Sequence, residues 1–275
     1  MKVKQVKIAP GVTIGGGELV AICGPCVMES EKKTLQIAER IAQIARRIKM
    51  PFIFKASYDK ANRSSVHSYR GPGLEMGLAV LCEVKERCGL PVTTDFHSVE
   101  EIELGGYMVD LIQIPAFLCR QTDLLLEAGA TGKPVNVKKG QFLSPAEMAN
   151  VVEKIESTGN KKIVLTERGT TFGYNNLVVD FRCLPTMRAL GYPVAFDATH
   201  SMQLPGALGG RSGGRGEFVP AMIRGAVAVG CDALFIETHP RPAASPSDAE
   251  NMLPLAKLEE TLRLARKIHR AAGKR

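Results

Sequence analysis

The segment Pro193-Val-Ala-Phe-Asp-Ala-Thr-His200 is an apolar run that ends in polar residues. Runs of this length without a helical period are typical of strands that are buried on both faces. Seven similar runs recur, at residues 19–26, 52–57, 91–96, 111–116, 134–139, 162–168 and 233–239. Residues able to do chemistry stand at or just beyond their ends: Cys26, Lys55, Asp95 with His97, Gln113, Lys138, Arg168, His200 and Glu237.

Stretches with helical spacing lie between these runs, at residues 35–48, 145–155 and 255–268 among others. Strand and helix alternating eight times is the pattern of an α/β fold, the (β/α)8 or TIM barrel, whose active site lies at the carboxyl ends of its strands. An eight-stranded doubly wound sheet is the alternative, but no Gly-x-Gly-x-x-Gly follows the first run. We therefore expect a catalytic barrel over residues 18–275, with a short β-hairpin at residues 1–17 that closes its bottom.

Two capping boxes predict where helices begin. Ser98-Val-Glu-Glu101 follows the third run and Ser144-Pro-Ala-Glu147 follows the fifth, the second with proline at the first helical position. Both support the alternation of strands and helices and say nothing about function.

Composition limits the class of protein. The 275 residues are 45% hydrophobic, and no apolar stretch approaches the about 20 residues of a membrane helix. The first seven residues lack a signal peptide's apolar segment, and an odd count of seven cysteines suits free thiols in a reducing compartment. We expect a cytoplasmic protein without a membrane partner.

The net charge of +8 raises the question of a nucleic-acid partner. Much of the excess is dispersed, residues 257–275 supply a basic exposed helix, and aromatic residues are only 5%, too few for stacking platforms. A solvated basic surface explains most of the charge, and no nucleic-acid partner is expected. Some cations are expected inside the protein, ready for small anionic substrates.

Cys23-Gly-Pro-Cys26 matches the redox motif of thioredoxins. In those proteins the first cysteine opens a helix, whereas here the helix is predicted to begin only after Ser30, a good N-cap. In a strand, positions 23 and 26 point to opposite faces. The preferred interpretation is a core thiol at Cys23 and a functional thiol at Cys26, with a disulfide reductase as the alternative.

The loop after the second run is long, and long connections of this kind are usually binding loops. It carries Lys55, Lys60, Arg63 and Arg70 among hydroxyl side chains and is suited to gripping phosphate. An ordinary polar surface loop is the alternative. Further along, residues 204–216 are rich in glycine and carry Arg211 and Arg215, which favours a mobile lid over a phosphate-binding P-loop.

Polar residues at the fourth to sixth strand ends have two interpretations each. Lys138 and Arg168 would be costly inside a barrel mouth without an anion to pair with, while Lys139 is freer to reach the rim. The amide of Gln113 can orient a polar substrate, or it can be a satisfied core amide.

Cys26, His200, Glu237 and Asp248 lie on or just after the first, seventh and eighth strands, which are neighbours when a barrel closes. Taken singly, Cys26 is more simply a buried thiol and His200 a hydrogen-bonded core imidazole. A thiolate, an imidazole and two carboxylates at one corner instead favour a divalent metal site. The donors admit zinc, iron, manganese or cobalt, and no organic cofactor is expected.

Nine motifs occur in a specific order over nearly the whole chain: Gly24-Pro-Cys-Val-Met-Glu-Ser30, Phe54-Lys-Ala-Ser57, Lys60-Ala-Asn-Arg-Ser-Ser65, Thr94-Asp-Phe-His97, Gln113-Ile-Pro-Ala-Phe117, Asn136-Val-Lys-Lys139, Leu165-Thr-Glu-Arg-Gly-Thr-Thr-Phe-Gly-Tyr-Asn-Asn176, Asp197-Ala-Thr-His200 and Glu237-Thr-His-Pro240. The set resembles the 3-deoxy-D-manno-octulosonate 8-phosphate synthase family, transferases of lipopolysaccharide biosynthesis that join phosphoenolpyruvate to arabinose 5-phosphate. The resemblance implies a homotetrameric TIM barrel.

The resemblance also implies roles for individual residues. The metal-free branch of the family has asparagine where this chain has Cys26, so the metal-using branch is implied, with ligands at Cys26, His200, Glu237 and Asp248. The positions implied to act in catalysis are Cys26, Lys60, His200 and Asp248. Those implied to hold phosphoenolpyruvate are Lys55, Lys60, Lys138 and Arg168. Those assigned to arabinose 5-phosphate are Asn62, Arg63, Ser64, Asp95, Gln113 and Arg120, with Arg63 and Arg120 reaching a neighbouring subunit's site.

Three alternatives compete with this interpretation. The sister 3-deoxy-arabino-heptulosonate 7-phosphate synthase uses erythrose 4-phosphate, but its phosphate loop has Pro-Arg-Thr where this chain has Ala61-Asn-Arg63. A Schiff-base aldolase would need a neutral lysine, whereas Lys55 and Lys138 are expected to stay charged beside a polyanion. A non-enzymatic phosphate- or nucleic-acid-binding protein would not need ligands at several strand ends.

Overall fold

The computed structural model describes residues 3–207 and 212–273. In these residues the strands are β1 (Val6–Ala9), β2 (Val12–Ile14), β3 (Val20–Gly24), β4 (Phe52–Lys55), β5 (Val92–Asp95), β6 (Leu111–Ile114), β7 (Val135–Lys138), β8 (Ile163–Glu167), β9 (Thr170–Thr171), β10 (Leu177–Val178), β11 (Val194–Asp197), β12 (Gln203–Leu204), β13 (Gly213–Gly214), β14 (Ala233–His239) and β15 (Leu253–Pro254). The α-helices are α1 (Glu31–Ile48), α2 (Leu74–Cys88), α3 (Val99–Gly105), α4 (Thr122–Ala130), α5 (Met148–Glu156), α6 (Cys183–Arg188), α7 (Val219–Val229) and α8 (Leu255–Ala271). Single 3₁₀ turns lie at Ala116–Leu118, His200–Met202, Gly216–Phe218 and Pro242–Ala244.

Eight parallel strands form a closed barrel. From β3 to β8, and then through β11 to β14, each strand pairs with the next, and β14 pairs back to β3. The connections between successive strands contain α-helices, and these helices surround the ring. The predicted TIM barrel and all eight predicted strands are confirmed.

The barrel strands are buried on both faces, as their apolar runs predict. In β3, for example, every residue is buried. Alternate side chains enter two different cores: Ala21 and Cys23 join the core between barrel and helices, whereas Val20 and Ile22 join a second core inside the barrel. Each barrel strand therefore presents alternate side chains to the barrel interior and to the surrounding helices.

The amino-terminal hairpin packs against the inner core. β1 and β2 are antiparallel, and Val6 and Ile14 are fully buried. They lie in one apolar cluster with the first residues of barrel strands, including Val20 and Leu111. The hairpin therefore covers the end of the barrel opposite to the carboxyl ends of its strands.

Local sequence signals explain where helices begin. The Ser30 side chain accepts from the backbone of Lys33 at 3.2 Å and caps α1, and Ser98 caps α3 in the same way. At Ser144 the predicted box forms reciprocally with Glu147. Regular α5 nevertheless starts only at Met148, because the intervening turn is closed by i to i+3 bonds. No described helix is long and apolar enough to cross a membrane.

Candidate active site

The carboxyl ends of the barrel strands surround a cavity of about 1020 Å³. Most of the predicted site residues lie on its wall: Lys55, Lys60, Asn62, Arg63, Ser64, Asp95, Lys138, Arg168, His200 and Asp248. Cys26 and Glu237 are fully buried and contact residues of the wall. The structure thus brings the predicted metal and substrate residues to one place, with Gln113 and Arg120 as exceptions.

Cys26, Glu237 and Asp248 each offer one ligand atom, and these atoms all lie within 4.8 Å of one another. Sγ of Cys26 is 3.0 Å from Oδ2 of Asp248. Nε2 of His200 faces the two carboxylates, at 3.4 Å from Oε1 of Glu237 and 3.8 Å from Oδ2 of Asp248. The four side chains come from neighbouring strand ends, or from the loop that follows one, and converge at one corner of the mouth.

Two observations show that this group suits a divalent cation. Oε2 of Glu237 is buried and has no hydrogen-bond partner among the described residues, a costly state for a carboxylate oxygen. Nδ1 of His200 lies 2.7 Å from Oδ2 of Asp197, the arrangement that usually fixes a ligating imidazole so that its Nε2 faces the metal. Thiol, imidazole and carboxylate donors fit zinc, iron, manganese or cobalt.

Electrostatics of the corner point the same way. Burial raises the pKa of the Cys26 thiol well above its ordinary value, and the charge of Glu237 raises it further. Burial also opposes ionisation of Glu237 and Asp248, but His200 and Lys60 hold the pKa of both carboxyls below the ordinary value. The carboxylates are therefore charged beside a neutral thiol, and a bound cation would favour the thiolate.

The segment that carries Cys26 is tied closely to the end of β4. A Cβ on Gly24 would lie 1.9 Å from the carbonyl oxygen of Lys55, so only glycine lets β3 end against β4 at this point. Two hydrogen bonds follow, from Nζ of Lys55 to the carbonyl of Cys26 at 3.0 Å and from the backbone nitrogen of Met28 to the carbonyl of Ser57 at 3.0 Å. These contacts hold Cys26 in place at the mouth.

Three lysines lie beside the four predicted metal ligands Cys26, His200, Glu237 and Asp248, a group that we call the metal corner. Lys55 and Lys138 are buried at strand ends, and Lys60 is half-buried in the loop after β4. Nζ of Lys55 donates to Oε1 of Glu237 at 3.0 Å. Nζ of Lys138 donates to Oδ2 of Asp197 at 2.6 Å. Burial lowers the pKa of Lys138, an effect that the charge of Asp197 opposes. Burial also lowers the pKa of Lys60, but the surrounding acidic groups outweigh it and raise this pKa overall.

Arg168 is a cation with spare hydrogen-bonding capacity. Only 5% of the residue is exposed, and its Nη2 donates to Oε1 of Gln203 at 2.6 Å. Its Nη1 is buried without a partner among the described residues. A guanidinium offers paired donors to a carboxylate or phosphate, so this end of the cavity suits a compact anion.

Asp95, at the end of β5, is held from two sides. Ser57 donates to its Oδ2, and Nε2 of Gln113 donates to its Oδ1 at 2.6 Å. Gln113 itself is fully buried and is absent from the described wall of the cavity. The structure thus places this predicted sugar-binding residue behind Asp95.

The basic loop after β4 lies over the cavity of its own chain. Nη1 of Arg63 donates to Oγ of Ser247 at 2.7 Å, and its Nε donates to the carbonyl of Tyr69 at 3.0 Å. Arg120 is exposed and does not lie on the described cavity wall. The resemblance implies that Arg63 and Arg120 both reach a neighbouring subunit's site, whereas here Arg63 lies at the mouth of its own chain's cavity and Arg120 lies outside it.

Gln203 was not predicted as a site residue. Its Oε1 accepts from Arg168, and its Nε2 donates to Oδ1 of Asp248 at 2.5 Å. It therefore connects the buried guanidinium of Arg168 to a predicted metal ligand. Its position shortly after His200 was the only sequence signal.

Ser247 was also not predicted, although it directly precedes Asp248. Its Oγ lies 3.0 Å from Sγ of Cys26 and accepts from Arg63. A serine in a polar loop carries no distinguishing pattern, so only the folded loop reveals the contact.

The two cysteines of the redox-like motif have different surroundings. Cys23 belongs to the apolar core between barrel and helices, and burial raises the pKa of its thiol. Cys26 instead contacts the polar side chains of Ser247 and Asp248. Since α1 begins only at Glu31, neither cysteine opens a helix.

Lys139 and the glycine-rich segment differ from simple expectation. Lys139, left free by the sequence to reach the rim, is fully buried, and its Nζ donates to the carbonyls of Gly140 and Leu143 at 3.2 Å. Of the predicted lid at 204–216, residues 208–211, including Arg211, lie outside the described residues. The described flanks pair as β12 and β13, and Arg215 is exposed.

The chain is similar to one family of known proteins over nearly its whole length. The chain matches the sequence model of the DAHP synthetase I family over residues 2–272. Three curated relatives are each named 2-dehydro-3-deoxyphosphooctonate aldolase. The protein of Trichlorobacter lovleyi is 56% identical over 261 residues, 94% of this chain and 96% of the relative. That of Syntrophotalea carbinolica is 57% identical over 253 residues, 92% and 91% of the two chains, and that of Geotalea daltonii 53% over 267 residues, 97% and 98%.

Proposed function

This chain belongs to the DAHP synthetase I family, and from that premise we propose that it is a 3-deoxy-8-phosphooctulonate synthase. The proposed reaction joins phosphoenolpyruvate, D-arabinose 5-phosphate and water to give 3-deoxy-D-manno-octulosonate 8-phosphate and phosphate, a step of lipopolysaccharide biosynthesis. The names of the relatives support this activity over that of the sister heptulosonate synthase.

One observation carries the proposal: buried cations and a metal-binding corner share a single cavity. Lys55 connects the two, because its ammonium donates to Glu237 while the residue also lies on the cavity wall. A simple phosphate-binding protein would need the cations and not the corner. A metal-assisted condensation of anionic substrates uses both.

Phosphoenolpyruvate carries a carboxylate and a phosphate on three carbons. We assign it to the buried Lys55, Lys138 and Arg168, with Lys60 beside them. These donors are held in place before the ligand arrives, so little reorganisation opposes binding. The partnerless Nη1 of Arg168 is available to an anionic oxygen.

Arabinose 5-phosphate is assigned to Asn62, Arg63 and Ser64 on the loop above, with Asp95 accepting a hydrogen bond from a sugar hydroxyl. Arg120 cannot join them within one chain, because it lies outside the cavity. We therefore propose a homotetramer in which Arg120 reaches the site of a neighbouring copy.

The proposed chemistry balances in three steps. The enol carbon C3 of phosphoenolpyruvate forms a bond to the aldehyde carbon of the sugar, and the aldehyde oxygen takes a proton to become a hydroxyl. Water adds its oxygen to C2, and its two protons end on the former aldehyde oxygen and on the departing phosphate. The C2–O bond to phosphate then breaks, phosphate leaves, and C2 becomes a ketone.

The chain's own residues serve these steps by position and charge. Lys60 keeps its proton, because neighbouring acidic groups raise its pKa overall against the effect of burial, and it stabilises negative charge that develops on the aldehyde oxygen. His200 is oriented by Asp197. A divalent ion held by Cys26, His200, Glu237 and Asp248 supplies Lewis acidity at this corner when bound.

The test is phosphate release from phosphoenolpyruvate with arabinose 5-phosphate or erythrose 4-phosphate, each with and without chelator. We expect release with arabinose 5-phosphate, loss of activity on chelation, and recovery on adding a divalent ion. Preference for erythrose 4-phosphate would assign the sister activity. Full activity of metal-free protein would contradict the metal assignment and leave the condensation itself in place.

A further inference from the structure

Four side chains on adjacent strands form a hydrogen-bond chain across the barrel interior. Oγ1 of Thr166 donates to Oδ1 of Asn136 at 2.6 Å. Nδ2 of Asn136 donates to Oε1 of Gln113 at 2.9 Å, and Nε2 of Gln113 donates to Oδ1 of Asp95 at 2.6 Å. We call Thr166, Asn136, Gln113 and Asp95 the Asp95 relay.

Strand register places the relay. Asp95 on β5 stands opposite Gln113 on β6, which stands opposite Asn136 on β7. Side chains at matched positions of parallel neighbours point to the same face, so the three are aligned inside the barrel. Thr166 on β8 completes the chain.

Every hydrogen bond of the relay donates toward Asp95. The opposite orientation of the Gln113 amide would set its oxygen against the carboxylate, leaving two acceptors without a donor. The carboxylate of Asp95 therefore fixes the orientation of the Gln113 side-chain amide. That amide in turn fixes the orientation of the Asn136 amide. Hydrogen bonds arranged in series polarise one another and strengthen the last acceptor contact.

The donor end of the relay lies away from the cavity wall. Thr166, Asn136 and Gln113 are each fully buried and lie off the described cavity wall. Of the four relay residues, only Asp95 lies on the described wall of the cavity. Its Oδ1 is occupied by the relay and its Oδ2 by Ser57, so the orientation of the carboxylate is set from behind.

We propose that Thr166 and Asn136 are positioning residues that act through Gln113 to orient Asp95 for the sugar substrate. This inference rests on the proposed function, in which Asp95 contacts arabinose 5-phosphate. Neither residue touches the substrate, and each affects turnover only through the carboxylate.

Thr166 offers a sharp test, because Thr166→Val keeps the shape and removes only the donor, whereas Thr166→Ser keeps the donor. Two threonines of β5 supply matched controls. The hydroxyl of Thr93 donates to the carbonyl of Leu111 at 2.7 Å outside the relay. That of Thr94 is buried without a partner among the described residues.

We expect Thr166→Val to lower kcat/KM for arabinose 5-phosphate about tenfold, the effect of one lost hydrogen bond and one unsatisfied acceptor. The KM for phosphoenolpyruvate should stay within about twofold. Thr166→Ser should restore wild-type kinetics. Thr93→Val should lose thermal stability and Thr94→Val should not, and both should keep wild-type kinetics.

The inference is overturned if Thr166→Val and Thr93→Val behave alike in kinetics, if serine does not rescue, or if both substrates are affected equally. The side-chain amide proton resonances of Gln113 give a readout that needs no turnover. They should shift in Thr166→Val and return in Thr166→Ser, and unchanged resonances would refute the relay. Wild-type protein that does not use these substrates would defeat the proposed function, and the resonances would then decide the relay alone.

Discussion

Nζ of Lys55 lies 3.0 Å from Oε1 of Glu237, and the two side chains are 1% and 0% exposed. Lys55 is among the cations assigned to phosphoenolpyruvate, and Glu237 belongs to the metal corner. The pair therefore joins the two parts of the site. Removing one partner of a buried ion pair leaves a buried charge uncompensated and costs about 3–5 kcal/mol.

Lys55→Met should consequently lower the free energy of unfolding of chelator-treated protein by about 3 kcal/mol. A bound divalent ion should reduce this loss, since it supplies the counter-charge for Glu237. Urea unfolding with and without metal measures both effects. Lys33→Met, which breaks the more exposed pair with Glu29, should cost at most about 1 kcal/mol, and equal losses in the two variants would contradict the argument.

Cys26→Ser should weaken metal retention by at least about tenfold, since altering even an outer partner of a metal ligand has that effect. Competition with a chromophoric chelator measures it. Cys23→Ser is the matched control, because Cys23 lies in the apolar core and should affect stability more than metal binding. Similar losses of metal binding in both variants would contradict this assignment and favour the alternative of a redox pair formed by Cys23 and Cys26.

Arg168→Met should lower kcat/KM for phosphoenolpyruvate by about 100-fold, on the order of 3 kcal/mol, because a preorganised donor is lost. Arg168→Lys should recover only part of it, since lysine lacks the paired donors. Steady-state phosphate release measures both. Arg182, whose side chain is 89% exposed beside Asp180, provides the control, and Arg182→Met should leave the constants unchanged.

Glu101 gives a prediction for pH. Burial raises the pKa of its carboxyl, but hydrogen bonds from His97 and Tyr58 outweigh this and bring the pKa from 4.5 to about 2. A lowered folded-state pKa stabilises the protein fully above the unfolded value and progressively less as pH falls toward the folded value.

Glu101→Gln should therefore be less stable than wild type at pH 7, with the difference shrinking as pH falls from about 4.5 toward about 2. Chemical unfolding at a series of pH values measures this. Glu103→Gln, at an exposed position of the same helix, should show no such trend. A difference that stays constant across the range would show that Glu101 stabilises by shape alone.

The sequence predicts the barrel and its mouth well, because buried parallel strands are continuous apolar runs and their carboxyl ends share one face. It cannot predict contacts made by loops. Gln203 and Ser247 join predicted residues only after their loops fold. The contacts of Lys139 could not be predicted for the same reason. The carbonyls that accept hydrogen bonds from its ammonium belong to a turn, and a turn has no periodic sequence pattern.

Gln113 shows a different limit. A polar residue at a strand end is compatible with the cavity or with the barrel interior, and the sequence left both open for Gln113. The interior partner Asn136 decides between them, and it is distant in sequence. Arg120 marks the limit of a single chain, because its predicted site is on another copy.

The hairpin beneath the barrel has a kinetic consequence. With Val6 and Ile14 packed against the strand origins, small molecules exchange with solvent at the opposite end. On the proposed assignment, the three-carbon substrate lies deeper than the pentose, so it must enter first. Inorganic phosphate and the newly formed octulosonate must then both be released through that same opening of the barrel.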